Sequence, residues 1–499
     1  MKNRNIVRFL ALLLVILLAG GAVVSALISA LAEEAAPARD RCEAAVEYME
    51  DEQALRVTQR LFYHNPSDGA LDRVVFYAMG NLFRRESALF YENDALLSVF
   101  PAGYAPAGME LRSVKCNGQD ADWGFQGESE TALRVSCNLP AGGECTFEFE
   151  YYLLLSENRA FLGAYETDVR LSAFLLTPGV YSEADGEFLI NPPLQHTRWL
   201  DGAKADYSVT LRLPENYLPA GTGEKTLLST ENGVSVWRID AQNAREFALS
   251  FGRRWRETTS ESASGVRIRV LSNARGAARE ALDYAVKIVD LYEQWLGDFP
   301  VRTLDVVQSD YPVDALSFTG AVWLPEKCFG DAAAMRRALR FAVAQQYFGL
   351  SAHPASVSDA WLADVPCSYL SLLAVEELEG YEAFVAALND QVLDALNITI
   401  PGGLYISADA SLFTAGEYAL IVRDRGAVVM HETRVAMGRD AMLASLRRFY
   451  EIGQEKDVLG EYDLIAAFDE ATGGDWEAFF TDWLFNVGDY VEQQLDHYE

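Results

Sequence analysis

The sequence predicts a multidomain chain, β first and α+β second. An N-terminal antiparallel β saddle or sandwich domain precedes a mostly helical domain that opens with a small sheet. Three observations predict this. At 499 residues the chain exceeds what one hydrophobic core holds. From about Ala45 to Gly252, apolar and polar residues alternate with period two. Beyond the polar, Ser-rich stretch "RRWRETTSESASG" the period becomes helical.

The strands come first. "LRVTQRLFYHN", "ALRVSCNLP", "ECTFEFEYYLLL", "DYSVTLRLP" and "VSVWRIDA" alternate cleanly, and "NPSDG", "PAGG" and "STENG" supply the turns between them. Cys137 and Cys145 flank "NLPAGGE", which reads as a hairpin turn. A disulfide across it is one expectation, and a pair of buried thiols is the other. In the second half, "GVRIRVLS", "RTLDVVQ" and "GAVWLP" read as strands. "NARGAAREALDYAVKIVDLYEQWLG" reads as a long amphipathic helix with an Asn cap and a Gly stop. From Asp331 onward nearly every segment has helical spacing, beginning with "DAAAMRRALRFAVAQQYFGL". No internal repeat or low-complexity tract is present.

Composition excludes some functions. Half the residues are hydrophobic and 12% aromatic, so packed interiors are affordable. The net charge is −32, with acidic residues spread along the chain. A nucleic-acid binder needs a basic footprint to displace counterions, so no nucleic-acid partner is expected. Lys2, Arg4 and Arg8 precede an uncharged run over residues 9–32. Its 24 residues would extend roughly 36 Å as a helix, enough to cross a hydrocarbon core of about 30 Å. The run reads as an uncleaved signal-anchor, giving a single-pass membrane protein with an extracytoplasmic C-terminal portion. Ala30-Leu31-Ala32 also fits a cleavage site, in which case the chain is secreted. The six cysteines, Cys42, Cys116, Cys137, Cys145, Cys328 and Cys367, form no C-x-x-C pair.

Several phrases, taken in order, resemble the aminopeptidase N (membrane alanyl aminopeptidase) family of gluzincin zinc peptidases. "VTQRLFYHNPSDGALDRVVFYAMGNLFR" is similar to its opening strands, and "LDYAVKIVDLYEQWLGDFPVRTLDVV" to the start of its thermolysin-like domain. "QQYFG" resembles the end of the H-E-x-x-H-Q-W-F-G helix, and "SDAWLADVPCSYLSLLAVEE" the region around W-L-N-E-G-F-A-S-Y. "VRDRGAVVMHETRVAMG" resembles the Y-x-K-G-A segment, and "GGDWEAFFTDWL" the closing helix. The likeness spans the exported region. It implies a signal-anchor or signal peptide over 1–32, a linker over 33–44 and a β domain over 45–253. A junction over 254–264 and a thermolysin-like domain over 265–499 follow.

The resemblance also implies where catalysis would sit, and there this sequence departs from it. The two zinc-binding histidines fall on Phe341 and Gln345, and the general-base glutamate falls on Ala342. The third ligand, a glutamate after 18 intervening residues, falls on Asp364. The oxyanion-stabilising tyrosine falls on Arg423, and the amine-binding glutamate of G-x-M-E-N on Ser317. A phenyl ring donates nothing to a metal, and a carboxamide is a poor zinc ligand. Without zinc and a base, water keeps a pKa near ~15.7 and no nucleophile forms at neutral pH. The expectation is therefore a pseudo-peptidase with no zinc and no catalytic residues, keeping these positions as relics. Among the histidines, His353 is the one near Asp364 in sequence, and it reads as a loop or cap residue. His431 reads as a packed or surface side chain. Cys367 reads as core.

A buried carboxylate that has lost its metal needs another cation, which predicts an Arg423–Asp364 ion pair across the former site. The function expected is binding of a peptide or cell-surface ligand in an inter-domain cleft, or of a membrane-protein partner. Two other readings stand beside it. One is an active metallo-aminopeptidase with non-standard ligands. The other is a structural ectodomain or an accessory protein of a membrane transporter.

Overall fold

A computed structural model of the protein describes residues 39–86, 93–183, 185–191, 194–196, 202–397, 404–456 and 458–484. The expected signal-anchor at 9–32 lies outside them. Among the described residues no helix is long and apolar enough to cross a membrane.

Period-two alternation becomes one large sheet. Strand Asp40–Met49 alternates buried and exposed residues along its length, as does Ala54–His64 over most of its own. In spatial order the eight strands are Glu224–Glu231, Val234–Ala244, Ala205–Pro214, Asp40–Met49, Ala54–His64, Glu144–Leu154, Gly108–Cys116 and Gln119–Asp120. Every neighbouring pair is antiparallel except Asp40–Met49 with Ala205–Pro214, which is parallel. Two smaller four-stranded sheets cover its apolar face. Phe76 on one of them meets Phe147 and Phe149 on the large sheet edge-on, with ring centroids 5.0 and 5.2 Å apart. That geometry suits the quadrupoles of the rings.

Three expectations need correction here. The large sheet begins at Asp40, inside the segment expected to be a linker (33–44). The Asp40 carboxylate accepts from the His64 backbone N–H at 2.9 Å, which fastens that first residue. Cys137 and Cys145 do not face each other across a hairpin. Strand Ala132–Leu139 pairs with Leu71–Tyr77 and Trp123–Gln126, whereas Glu144–Leu154 belongs to the large sheet. The "PAGG" turn therefore crosses between layers, and both cysteines are free thiols. Burial pushes the Cys137 thiol up to about 12. The expected junction, 254–264, contains strand Arg256–Glu261, which pairs with Arg267–Ser272 in the next sheet.

That next sheet has five strands, in the order Arg256–Glu261, Arg267–Ser272, Thr303–Ser309, Ala321–Pro325 and Leu316–Phe318. Its three central strands run parallel. Alternation places Ile268, Val270, Leu304, Val306, Val322 and Leu324 in the core shared with the helices. Leu271, Val307, Ala321 and Trp323 join the core of the β half. The sheet is thus a layer buried on both faces, as parallel strands demand. From Asp40 onward the described residues form one compact unit.

The helices follow the predicted spans. With Asn93–Val99 as α1, they are α2 (Arg275–Leu296), α3 (Ala332–Tyr347), α4 (Trp361–Glu379) and α5 (Tyr381–Asn397). Next come α6 (Ala415–Tyr418), a wide turn over Ala419–Asp424, α7 (Arg425–Met437), α8 (Arg439–Lys456), α9 (Glu461–Thr472) and α10 (Glu477–Leu484). Helix α2 crosses between two parallel strands and stops at Gly297, where φ is +101° and a β-carbon would be strained. Asn273 does not cap it. The Ser272 Oγ accepts from the Ala274 N–H at 2.9 Å, and the helix starts one residue later, from Ala274. Asp331 does cap α3, accepting from the Ala333 and Ala334 N–H groups at 3.0 and 3.1 Å.

The seam between the halves is ionic at one point. Asp305 on the five-stranded sheet is fully buried, and its Oδ2 accepts from the Gly221 N–H at 2.9 Å and from Lys225 Nζ at 2.7 Å. Arg269 Nη1 adds a third contact at 3.1 Å. Burial, resisted by Asp305, lowers the Lys225 pKa to about 8. Asp305→Ala leaves two buried cations without their shared anion. The expected loss is about 3–5 kcal/mol in urea unfolding, larger than that of Lys225→Met.

Candidate functional site

The six positions singled out in the sequence converge on one cavity of about 380 Å³. Ser317, Phe341, Gln345, Asp364 and Arg423 line it. Ala342 does not, but its carbonyl accepts from the Ser317 hydroxyl at 3.3 Å, just behind the wall. Ser172, Gln195, His196 and Glu246 close the cavity from the β half.

Helical spacing explains one wall. Ala334, Arg337, Ala338, Phe341 and Gln345 recur at intervals of three and four along α3, so they share one face. Asp364 lies in the first turn of α4, where the helix dipole favours an anion. Gly426 on α7 sets the distance between α7 and α4. A β-carbon there would meet Val365 Cγ2 at 2.4 Å, so only glycine permits this approach. Arg423 lies in the wide turn leading into α7, where the Arg425 N–H reaches back to the Leu420 carbonyl, five residues earlier. Such turns re-aim a side chain within an otherwise continuous helix.

The expected ion pair is present. Arg423 Nε donates to Asp364 Oδ2 at 3.1 Å. Gln345 Nε2 donates to Asp364 Oδ1 at 3.3 Å, so both carboxylate oxygens are engaged. The guanidinium lies over the Phe341 ring, 4.9 Å from its centroid, and 5.7 Å from that of Tyr418. Its Nη2 donates to the His196 carbonyl at 3.1 Å. Burial opposes the charge on Arg423. Asp364, with Asp314 beyond it, outweighs that opposition and holds the guanidinium pKa above its ordinary range. Burial, with the Asp364 carboxylate close by, drives the Tyr418 phenol well above its usual range.

These residues do not fit a zinc ion. Phe341 offers no lone pair, and Asp364 has given its oxygens to Gln345 and Arg423. Among the described residues, no group of three His, Cys, Asp or Glu side chains is placed to hold a metal. His353 lies away from the cavity. Its Nδ1 is 2.8 Å from the Gly349 carbonyl, on a short strand paired with Val458–Leu459. Cys367 is buried with its thiol pKa raised well above normal, chiefly by desolvation. His497 lies outside the described residues.

Sequence reasoning missed His196, Tyr418 and Asp314. His196 Nε2 is 2.9 Å from the Ala410 carbonyl, and its ring lies against Tyr418 with centroids 4.7 Å apart. Asp314 stands 3.7 Å from Arg423 Nη1. His196 reaches the site from a distant segment, whereas Tyr418 and Asp314 stand close in sequence to Arg423 and Ser317 but carry no motif of their own.

Comparison with solved structures concerns the overall fold. Over 91% of its length the chain superposes on 95% of a point mutant of the M1 zinc metallopeptidase from Deinococcus radiodurans, with a TM-score of 0.63 and 16% identity. A second structure of the M1 zinc metallopeptidase from the same organism matches with a TM-score of 0.59, 16% identity and 92% of each chain covered. The chain has the fold of the M1 zinc metallopeptidases. No protein-family model and no curated protein sequence matches it. At this identity the likeness concerns the fold alone.

Two outcomes follow from the geometry. Arg423→Ala strands a buried carboxylate, and the expected cost is about 3–5 kcal/mol. The double change Asp364→Ala with Arg423→Ala should cost less than Arg423→Ala alone, as read in a double-mutant cycle of urea unfolding. The second outcome concerns His431, which is partly buried on α7 beside Tyr369, with Oη and Nδ1 3.4 Å apart. Burial, reinforced by Arg434, lowers its pKa to about 4 from an ordinary 6.5. The unfolded chain takes up this proton first as pH falls, so the contribution of His431 to stability is lost between pH 6.5 and 4. His431→Gln should flatten that part of the stability–pH curve measured by thermal unfolding.

Proposed function

We propose that the protein is an exported, membrane-anchored pseudo-peptidase that binds a ligand in the cleft rather than hydrolysing a peptide. One observation carries the reading. Asp364, the only carboxylate at the positions of the lost metal site, has both oxygens engaged, one by Arg423 and one by Gln345. A guanidinium supplies positive charge, but it has no open coordination position and generates no hydroxide. Ala342 in place of a general base removes the other half of the machinery. The cavity volume lies within the usual range for small-ligand sites, about 300–1,000 Å³. Export and anchoring rest on the basic residues and the apolar run over 9–32.

The test is metal content measured beside turnover on the full-length protein. Elemental analysis should find zinc far below one ion per chain, and aminoacyl arylamides should hydrolyse no faster than in buffer. Zinc near one equivalent, lost together with activity in Asp364→Ala, would establish a working metallo-aminopeptidase instead.

A further inference from the structure

We infer that the cavity recognises a small ligand bearing a carboxylate, with Arg423 as the central receptor and Arg337 and Lys327 at the rim. The inference rests on the binding reading above and specifies its ligand class. Arg423 divides its donors unequally. Nε serves Asp364 and Nη2 serves the His196 carbonyl, both at 3.1 Å. Among the described residues Nη1 has only Asp314, at 3.7 Å, and that side chain is 76% exposed. A loose, solvated partner of this kind is readily displaced, whereas the buried Asp364 is not.

Two more cations line the same cavity. Arg337 lies one helical turn before Phe341 on the same face of α3 and is exposed. Lys327 Nζ donates to the carbonyls of Pro312 and Val313 at 3.4 and 3.2 Å, beside Asp314. Neither Arg337 nor Lys327 has an ion pair among the described residues. In a chain of net charge −32, cations without carboxylates are not the default, and these two stand at one cavity. The acidic groups that face the same space are Asp314, Asp364, Asp424 and Glu246. Asp364 is neutralised by Arg423, and Asp424 and Glu246 are engaged with other groups.

Opposite the cations, the Ser172 hydroxyl lines the cavity from the β half. It is 1% exposed and has no hydrogen-bond partner among the described residues. The Gln391 Oε1 is likewise buried and unpaired on the cavity wall. Orphaned polar atoms of this kind are costly unless a ligand or water completes them. A carboxylate on Arg423, with hydroxyl or amide groups at its other end, would satisfy both sides. Short peptides with a free C-terminus and small hydroxy- or dicarboxylic acids share this chemistry.

The experiment uses the full-length protein and two probe sets. One is a randomised tripeptide library, as free acids and as C-terminal amides, and the other is a panel of small dicarboxylic and hydroxy acids. Retention is read by ultrafiltration and mass spectrometry, and affinities by calorimetry. Free acids from either set should bind, with amides about ten- to hundredfold weaker. Arg337→Gln, which leaves the buried pair intact, and Arg423→Lys, which keeps its charge, should each weaken the acids and leave the amides unchanged. Amides binding as tightly as acids, or acids unaffected by both substitutions, would overturn the carboxylate assignment while leaving a binding cleft. Retention of neither probe set would overturn the binding reading along with it.

Discussion

A carboxylate buried in a protein stays charged most readily beside a cation, and this fold supplies one twice at its critical points. Asp305 is fully buried at the seam and is held by Lys225, Arg269 and the Gly221 N–H. Asp364 is buried at the cavity floor and is held by Arg423 and Gln345. The first fixes the β half against the five-stranded sheet, and that fixed relation gives the cavity its two walls. The second ties α4 to the turn that carries Arg423. In both places the attraction is strong because water is excluded, and the loss of one partner is costly for the same reason.

The helical side of the site is built from close approach and from one irregularity. Gly426 lets α7 lie against Val365 at the start of α4, which brings the segment carrying Arg423 to Asp364. The wide turn over Ala419–Asp424 then aims the guanidinium over Phe341. Phe341 contributes the aromatic face over which that guanidinium lies, a favourable place for a cation. The site is chemically coherent as a guanidinium–carboxylate–amide cluster.

Much of this was legible in the sequence because local periodicity reports local burial. The alternation in "ECTFEFEYYLLL" and the helical stripe in "AAAMRRALRFAVAQQY" each specify a face, and each forms the predicted element. The Arg423–Asp364 pair was legible too, since the family likeness aligns both positions on one site and a buried carboxylate needs a cation. Other features were not. Cys137 and Cys145 flank a turn that looks like a hairpin, yet it steps between layers, because strand pairing is chosen by partners far along the chain. "RRWRETTSESASG" is polar enough to suggest a junction. Its Arg256–Glu261 segment is nonetheless an edge strand, a place where polar residues are tolerated.

The sequence by itself determined the order of elements, and it led to the expectation of a cation beside Asp364. The first follows from near-neighbour spacing, and the second from the family resemblance joined to the chemistry of a buried carboxylate. Only the tertiary structure decided that His196 and Asp314 share the cavity with Arg423, and that Lys225 from the β half closes over Asp305. Each of those contacts joins segments far apart in the chain. Its energy comes from excluding water between surfaces that meet only when the whole fold closes.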